Sequence, residues 1–250
     1  MSVWEVRRMS NVISSQFFKA GKIKGVKVTT IFGLCFVGFI VLMCKMFSET
    51  PITGMDMFDA FSQTYMYLFL VVFANHIISA DWTSSSIKQI LGKGTDRVSY
   101  CIGTMFVAVI LTFVYEVLLM IAGFALGSVV GEGIGVVDIK SVGFILGGYL
   151  LISCNLVSII MFLYCFIKKS AAVIMIVSFM PIISDLLSTI VIGMTGIENA
   201  AYISYFKLME DVTRANPDST QNVVSYVVLT AITIFFAAAS AIVLRKEDIN

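Results

Sequence analysis

The chain has 250 residues, of which 58% are hydrophobic and 13% charged, with a mean hydropathy of +0.95. Soluble domains carry close to a quarter charged residues, so a water-soluble enzyme or binding module is excluded. The net charge of +1 says little about partners because the charges are segregated along the chain, and no nucleic-acid partner is expected.

Residues 1–27 are polar and basic. Within them Val6, Met9, Ile13 and Phe17 recur at steps of three and four, with Arg7, Arg8, Ser10, Ser14 and Lys19 on the other side. This spacing predicts a basic amphipathic helix lying on the membrane surface. The apolar run that follows is too long for the core of a secretory leader and lacks a small-residue cleavage site behind it, so it reads as a first span.

Six apolar runs are long enough to cross a bilayer: Val28 to Phe47, Phe61 to Ser79, Tyr100 to Val130, Val142 to Ile167, Ala171 to Thr195 and Val223 to Leu244. Each approaches or exceeds the roughly 20 residues that about 30 Å of hydrocarbon requires. The expected architecture is all-α, a single transmembrane domain over 1–250. With the N-terminus inside, only Lys45, Lys140, Lys207 and Arg214 of the 17 Lys and Arg residues fall outside. This bias places both termini in the cytoplasm. The outer connections Glu49 to Ala60 and Gly131 to Ser141 read as short acidic loops. Gly196 to Asn222 is longer and reads as surface loop or as one or two short helices dipping at the outer surface. The five cysteines include no C-x-x-C pair, so neither a disulfide framework nor a metal site is expected.

Between the second and third runs lies ISADWTSSSIKQILGKGTDRVSYCIG, Ile78 to Gly103. Its GKGT lacks the G-x-x-x-x-G-K-[ST] spacing and the strand that a phosphate-binding loop needs. The stretch instead has helix punctuation. Ser84, Ser85 and Ser86 are N-cap residues, Ile87, Ile90 and Leu91 form an apolar edge opposite Lys88 and Gln89, and Gly92 and Gly94 end the turns. Thr95 can cap the third span. A surface helix of about two turns follows, with an apolar knob for a cytoplasmic partner.

The order Asp81, Ser86, Ile87, Lys88, Leu91, Gly94 and Arg97, written D-x-x-x-x-[ST]-I-K-x-x-L-x-x-G-x-x-R, resembles the segment between the second and third spans of ABC-2 type permeases. The similarity is to six-span bacterial subunits of bacitracin, lantibiotic-immunity and peptide exporters. The terminal LRKEDI, Leu244 to Ile249, is similar to their short basic-acidic end. Ser85 and Thr104 depart from the family pattern, at places where Gly and Lys are common. The resemblance implies a non-catalytic permease with no cofactor of its own. Separate ATPase subunits, two per complex, would bind ATP and push on Ser86, Ile87, Lys88, Ile90, Leu91 and Arg97. A second permease, identical or a sister chain, would complete the path in a bacterial plasma membrane. The implied cargo is an amphipathic or antimicrobial peptide.

Ionisable groups inside spans cost roughly 2.5 to 3.5 kcal/mol on insertion scales. Glu116, in the body of the third run, reads as a path or dimer-interface residue, with Asn155 on the fourth run as possible company. Asp185 follows Pro181 by one turn, and the proline could bend the helix and aim it inward. Gly123 and Gly127, and Gly143, Gly147 and Gly148, permit close helix contact. An intramembrane enzyme lacks its residues, since the single His76 has no H-E-x-x-H frame. A proton-coupled carrier or channel using Glu116 and Asp185, with His76, is the competing reading, and no internal repeat supports it.

Overall fold

The computed structural model describes residues 3–48, 51–61, 66–83, 87, 96–213 and 220–246. Among the described residues the fold is all-helical. The helices are α1 (Val3–Ala20), α2 (Lys24–Phe47), α3 (Gly54–Phe61), α4 (Tyr67–Thr83), α5 (Arg97–Val130), α6 (Ile139–Ile167), α7 (Ser170–Thr195), α8 (Tyr205–Thr213) and α9 (Thr220–Lys246), with a 3₁₀ turn over Glu198–Ile203 before α8. Five of them, α2, α5, α6, α7 and α9, are long and apolar enough to cross a membrane. The protein is a multi-pass membrane protein. Most helices begin a few residues before the apolar runs do, because polar flanks keep helical hydrogen bonds after they leave hydrocarbon. Asp96 caps α5 by accepting from the Ser99 amide at 3.0 Å, one residue past the expected Thr95. Asp138 caps α6 through the Lys140 amide at 3.1 Å and the Ser141 hydroxyl at 2.7 Å. Those bonds hold its carboxyl below the usual Asp value.

Two antiparallel helices, α5 and α6, form the axis. α5 touches α1, α2, α3, α4, α6 and α9, while α6 touches α4, α5, α7, α8 and α9. Tyr115 shows how α5 collects its neighbours: its ring stacks on Phe73 of α4 at 4.2 Å, and its hydroxyl donates to the Thr29 carbonyl of α2. Gly33 is what lets α2 come this close, because a Cβ there would meet the Tyr115 hydroxyl. The peripheral α2, α7 and α9 keep broad apolar faces exposed, with Phe32, Phe39, Ile183, Leu187, Ile234 and Phe235 all outward, as helices bordering lipid do.

The second apolar run differs from its expected form. Its helix α4 has only 17 residues, about 25 Å of rise. The eight-residue α3 precedes it, where a short acidic loop was expected. Thr53 and Asp56 start α3 by reciprocal bonds, the Asp56 carboxylate accepting from the Thr53 amide at 2.8 Å and the Asp56 amide donating to the Thr53 hydroxyl at 3.3 Å. This is the logic of a capping box. α3 and α4 then lie in succession along one side of α5: Gly54 by Ser128, Met57 by Gly127, Phe61 by Gly123, Phe73 by Tyr115, and Asp81 by Tyr100. Gly123 and Gly127 therefore serve packing within this chain. Residues 52–55 also pair with the loop after α5, through Glu132 amide to Ile52 carbonyl and Gly54 amide to Gly133 carbonyl. Gly133 can take its φ of +100° there because it has no Cβ.

Not every glycine in α6 is a contact. A Cβ on Gly148 would collide with the Val212 carbonyl at the end of α8, whereas Gly143 and Gly147 face open space. Gly148→Val is expected to force α8 off α6 and to lose about 1–3 kcal/mol, while Gly147→Ala stays neutral. Thermal unfolding of the two variants in detergent, compared with wild type, checks this contrast.

Candidate functional site

Three groups of polar side chains lie inside this apolar bundle. The first ties the N-terminal helix to the axis. Asp81, fully buried at the last turn of α4, is paired with Lys19 of α1. Its other oxygen accepts from the Gln16 amide at 2.7 Å and the Tyr100 hydroxyl of α5 at 2.9 Å. One carboxylate thus holds α1, α4 and α5 together. Close packing supports the join, since Val12 of α1 sits on Gly103 of α5. The same end of the bundle is laced by Asn75, which donates to Ser170 of α7 at 2.7 Å and accepts from Tyr164 of α6 at 2.8 Å. His76 packs against Gly25 of α2.

The second group joins two residues singled out in the sequence. After α7 the chain doubles back: the Ser204 hydroxyl donates to Asp185 at 2.7 Å, and the Tyr205 amide donates to the Ser184 hydroxyl at 2.9 Å. Asp185 lies ten residues before the end of α7, so Ser204 has returned roughly 15 Å along that helix. Tyr205 then reaches the middle of α6 and donates to Asn155 at 2.6 Å. The Asn155 amide in turn donates to Thr233 of α9 at 3.1 Å and to the Leu229 carbonyl at 3.3 Å. α8 climbs back beside α6 and α9, with Asp211 accepting from Ser225 at 2.8 Å and pairing with Lys207 at 3.0 Å. The loop between α7 and α9 is thus a re-entrant hairpin. Two consecutive residues, Ser204 and Tyr205, connect Asp185 to Asn155.

Pro181 does not turn Asp185 inward. Lacking an amide hydrogen, Pro181 leaves the Val177 carbonyl without its helical donor, and the Tyr67 hydroxyl of α4 takes that place at 3.2 Å. The freed carbonyl is answered by a neighbour, and Asp185 remains on the exposed side of α7.

Glu116 forms the third group, apart from the other two. It is fully buried between α5 and α6, and neither carboxyl oxygen has a hydrogen-bond partner among the described residues. Burial inside one chain removes it from any dimer surface. Asn155 is not its companion, being held by Tyr205 and Thr233.

Of the coupling residues, Ser86, Lys88, Ile90 and Leu91 lie outside the described residues. Ile87 is 3% exposed and belongs to this chain's own core, so the apolar knob expected of Ile87, Ile90 and Leu91 does not include Ile87. Arg97 reaches the Leu244 carbonyl at the end of α9 at 3.4 Å. No periodicity marks Gln16, Tyr100 or Ser204, whose roles depend on contacts between distant segments. The one available hint was Asp81 itself, a carboxylate at the edge of an apolar run that must find partners.

No protein-family model matches the chain, and no curated protein matches it.

Tyr205→Phe removes the hydroxyl that Asn155 accepts from, leaving a buried amide oxygen unanswered. A loss of about 1–3 kcal/mol is expected, with new labelling of a cysteine placed at Leu208 by a water-soluble maleimide. Unchanged stability and unchanged protection would remove the hairpin's anchor.

Proposed function

We propose that this chain is the membrane-spanning, non-catalytic subunit of an ATP-driven exporter of the ABC-2 type. In this reading α3 and α4 together make the second of six crossings, and both termini lie on the cytoplasmic side of a bacterial plasma membrane. A second permease, identical or a sister chain, completes the path. Two separate ATPase subunits bind and hydrolyse ATP, so this chain needs no cofactor. The cargo is an amphipathic peptide, antimicrobial peptides included.

The observation that carries the reading is the triple attachment at Asp81. Asp81 is the first residue of the motif that resembles the permease family, and Arg97 is the last. Each is fixed to other helices, Asp81 to α1 and α5, Arg97 to the end of α9. A push on the residues between them is delivered to α1, α4, α5 and α9 at once. That is what a subunit driven from outside requires, because six helices with no nucleotide site have no energy source of their own.

The competing carrier needs Glu116 and Asp185 along one route. Glu116 is enclosed between α5 and α6, and Asp185 is on the exposed side of α7 held by Ser204, so the geometry favours the driven subunit.

Affinity purification of the tagged chain from its native membrane is expected to bring down an ATPase with Walker motifs. Lys88→Glu combined with Leu91→Asp should lose that partner and ATP-dependent peptide export while the chain still inserts. Full export by the double variant would refute the docking segment, and a purified chain that never carries an ATPase would refute the exporter.

A further inference from the structure

The helices α5 and α6 bury side-chain oxygens that have no hydrogen-bond partner among the described residues. Glu116 and Thr112 are one turn apart on α5, both fully buried, and their side-chain oxygens have no hydrogen-bond partner among the described residues. Ser153 on α6 is in the same condition. Tyr149 of α6 lies within electrostatic reach of Glu116.

No cation stands opposite Glu116 among the described residues. On α1, Lys19 is committed to Asp81. The lysines of α2 are at its ends, Lys24, Lys27 and Lys45. On α3, Asp56 is in the Thr53 cap and Asp59 is exposed. The charged and titratable groups of α4 are Asp81, held as above, His76 against Gly25, and Tyr67 on the Val177 carbonyl. On α5 itself Arg97 is at the first turn and Tyr115 donates to Thr29. Tyr164 of α6 is on Asn75, and Tyr226 of α9 is on the Val212 carbonyl, with Arg245 at the far end of that helix.

A bare carboxylate in such a place is too costly to persist, and it neutralises instead. A metal cation or an ammonium would need several oxygens around it, yet both helices are unbroken here and their carbonyls are spent on their own turns. A proton needs no added space.

We propose that Glu116 is a proton-binding site, occupied while α5 and α6 are packed as here and emptied when that seam parts. On opening, the carboxyl O–H bond breaks and the proton passes to entering water, while Thr112, one turn away, and further water solvate the carboxylate. On closing, one proton is taken up again. The closed form therefore holds one proton more than the open form, so acid favours the closed seam and alkali favours opening. This inference does not depend on the exporter reading, since it needs only the seam.

Infrared spectroscopy of the full-length chain in lipid vesicles tests it. At neutral pH the wild type is expected to show a protonated-carboxyl stretching band that shifts in heavy water, is lost in Glu116→Gln and moves in Thr112→Val. Because Gln is isosteric and neutral, Glu116→Gln should fold, and its unfolding temperature should lack the fall that the wild type shows from mildly acidic to alkaline buffer. Were Glu116→Gln to misfold, the band would be expected at a displaced frequency in Glu116→Asp. Absence of the band from wild type at neutral pH would overturn the proposal. So would its disappearance on adding sodium or potassium at constant pH, which would make the site a metal-cation site.

Discussion

A carboxylate withdrawn from water has to be answered by other groups of the chain, and at Asp81 three segments far apart in sequence supply the answer. Lys19 and Gln16 come from α1, Tyr100 from the start of α5, and Asp81 itself ends α4. Removing any one partner leaves charge or a hydrogen-bonding atom stranded in a nearly dry place, where the loss exceeds what an exposed pair would be worth. The fold inherits its geometry from this. With the last turn of α4 fixed to α5, the two helices are aligned, and α3 can continue along the same side of α5 where Gly123 and Gly127 leave room for Phe61 and Met57.

The hairpin after α7 obeys the same constraint, mostly with uncharged groups. The hairpin of the 3₁₀ turn and α8 re-enters the bundle, which is tolerable in hydrocarbon only where backbone and side-chain polar atoms are satisfied by neighbours. Ser184, Asp185 and Asn155 do this for Ser204 and Tyr205, and Tyr67 does it for the carbonyl that Pro181 leaves bare. Asp81 ties helices together at the last turn of α4 with charge, and Tyr205 ties them at the middle of α6 with hydroxyl and amide. The side-chain oxygens of Glu116 and Thr112 on α5 and of Ser153 on α6 have no hydrogen-bond partner among the described residues.

Much of the helical plan was legible in the sequence because hydrocarbon thickness imposes run length and lipid imposes composition. The runs beginning at Val28, Tyr100, Val142, Ala171 and Val223 all lie within long helices. The amphipathic spacing from Val6 to Phe17 lies within α1 in the same way, since periodicity is a local property. The second run was read as one crossing from Phe61 to Ser79 although Ser62, Gln63 and Thr64 interrupt its apolar character, and the helix described there begins only at Tyr67. The direction of Asp185 was not legible. Pro181 frees a carbonyl, but which neighbour fills the gap is decided by Tyr67, 110 residues away. Asn155 was read as possible company for Glu116, and its actual partner, Tyr205, lies in a stretch that read equally as surface loop or short helices.

The attachment of α1 through Asp81 is the joint on which the driven-subunit account turns, and a double-mutant cycle measures it most directly. Unfolding free energies of Lys19→Met, Asp81→Asn and the combined variant, set against wild type in the same detergent, give the coupling between the two side chains. The account predicts a coupling of about 1–3 kcal/mol, with α1 becoming protease-sensitive in Asp81→Asn. Additive effects, with α1 still protected in Asp81→Asn, would contradict it.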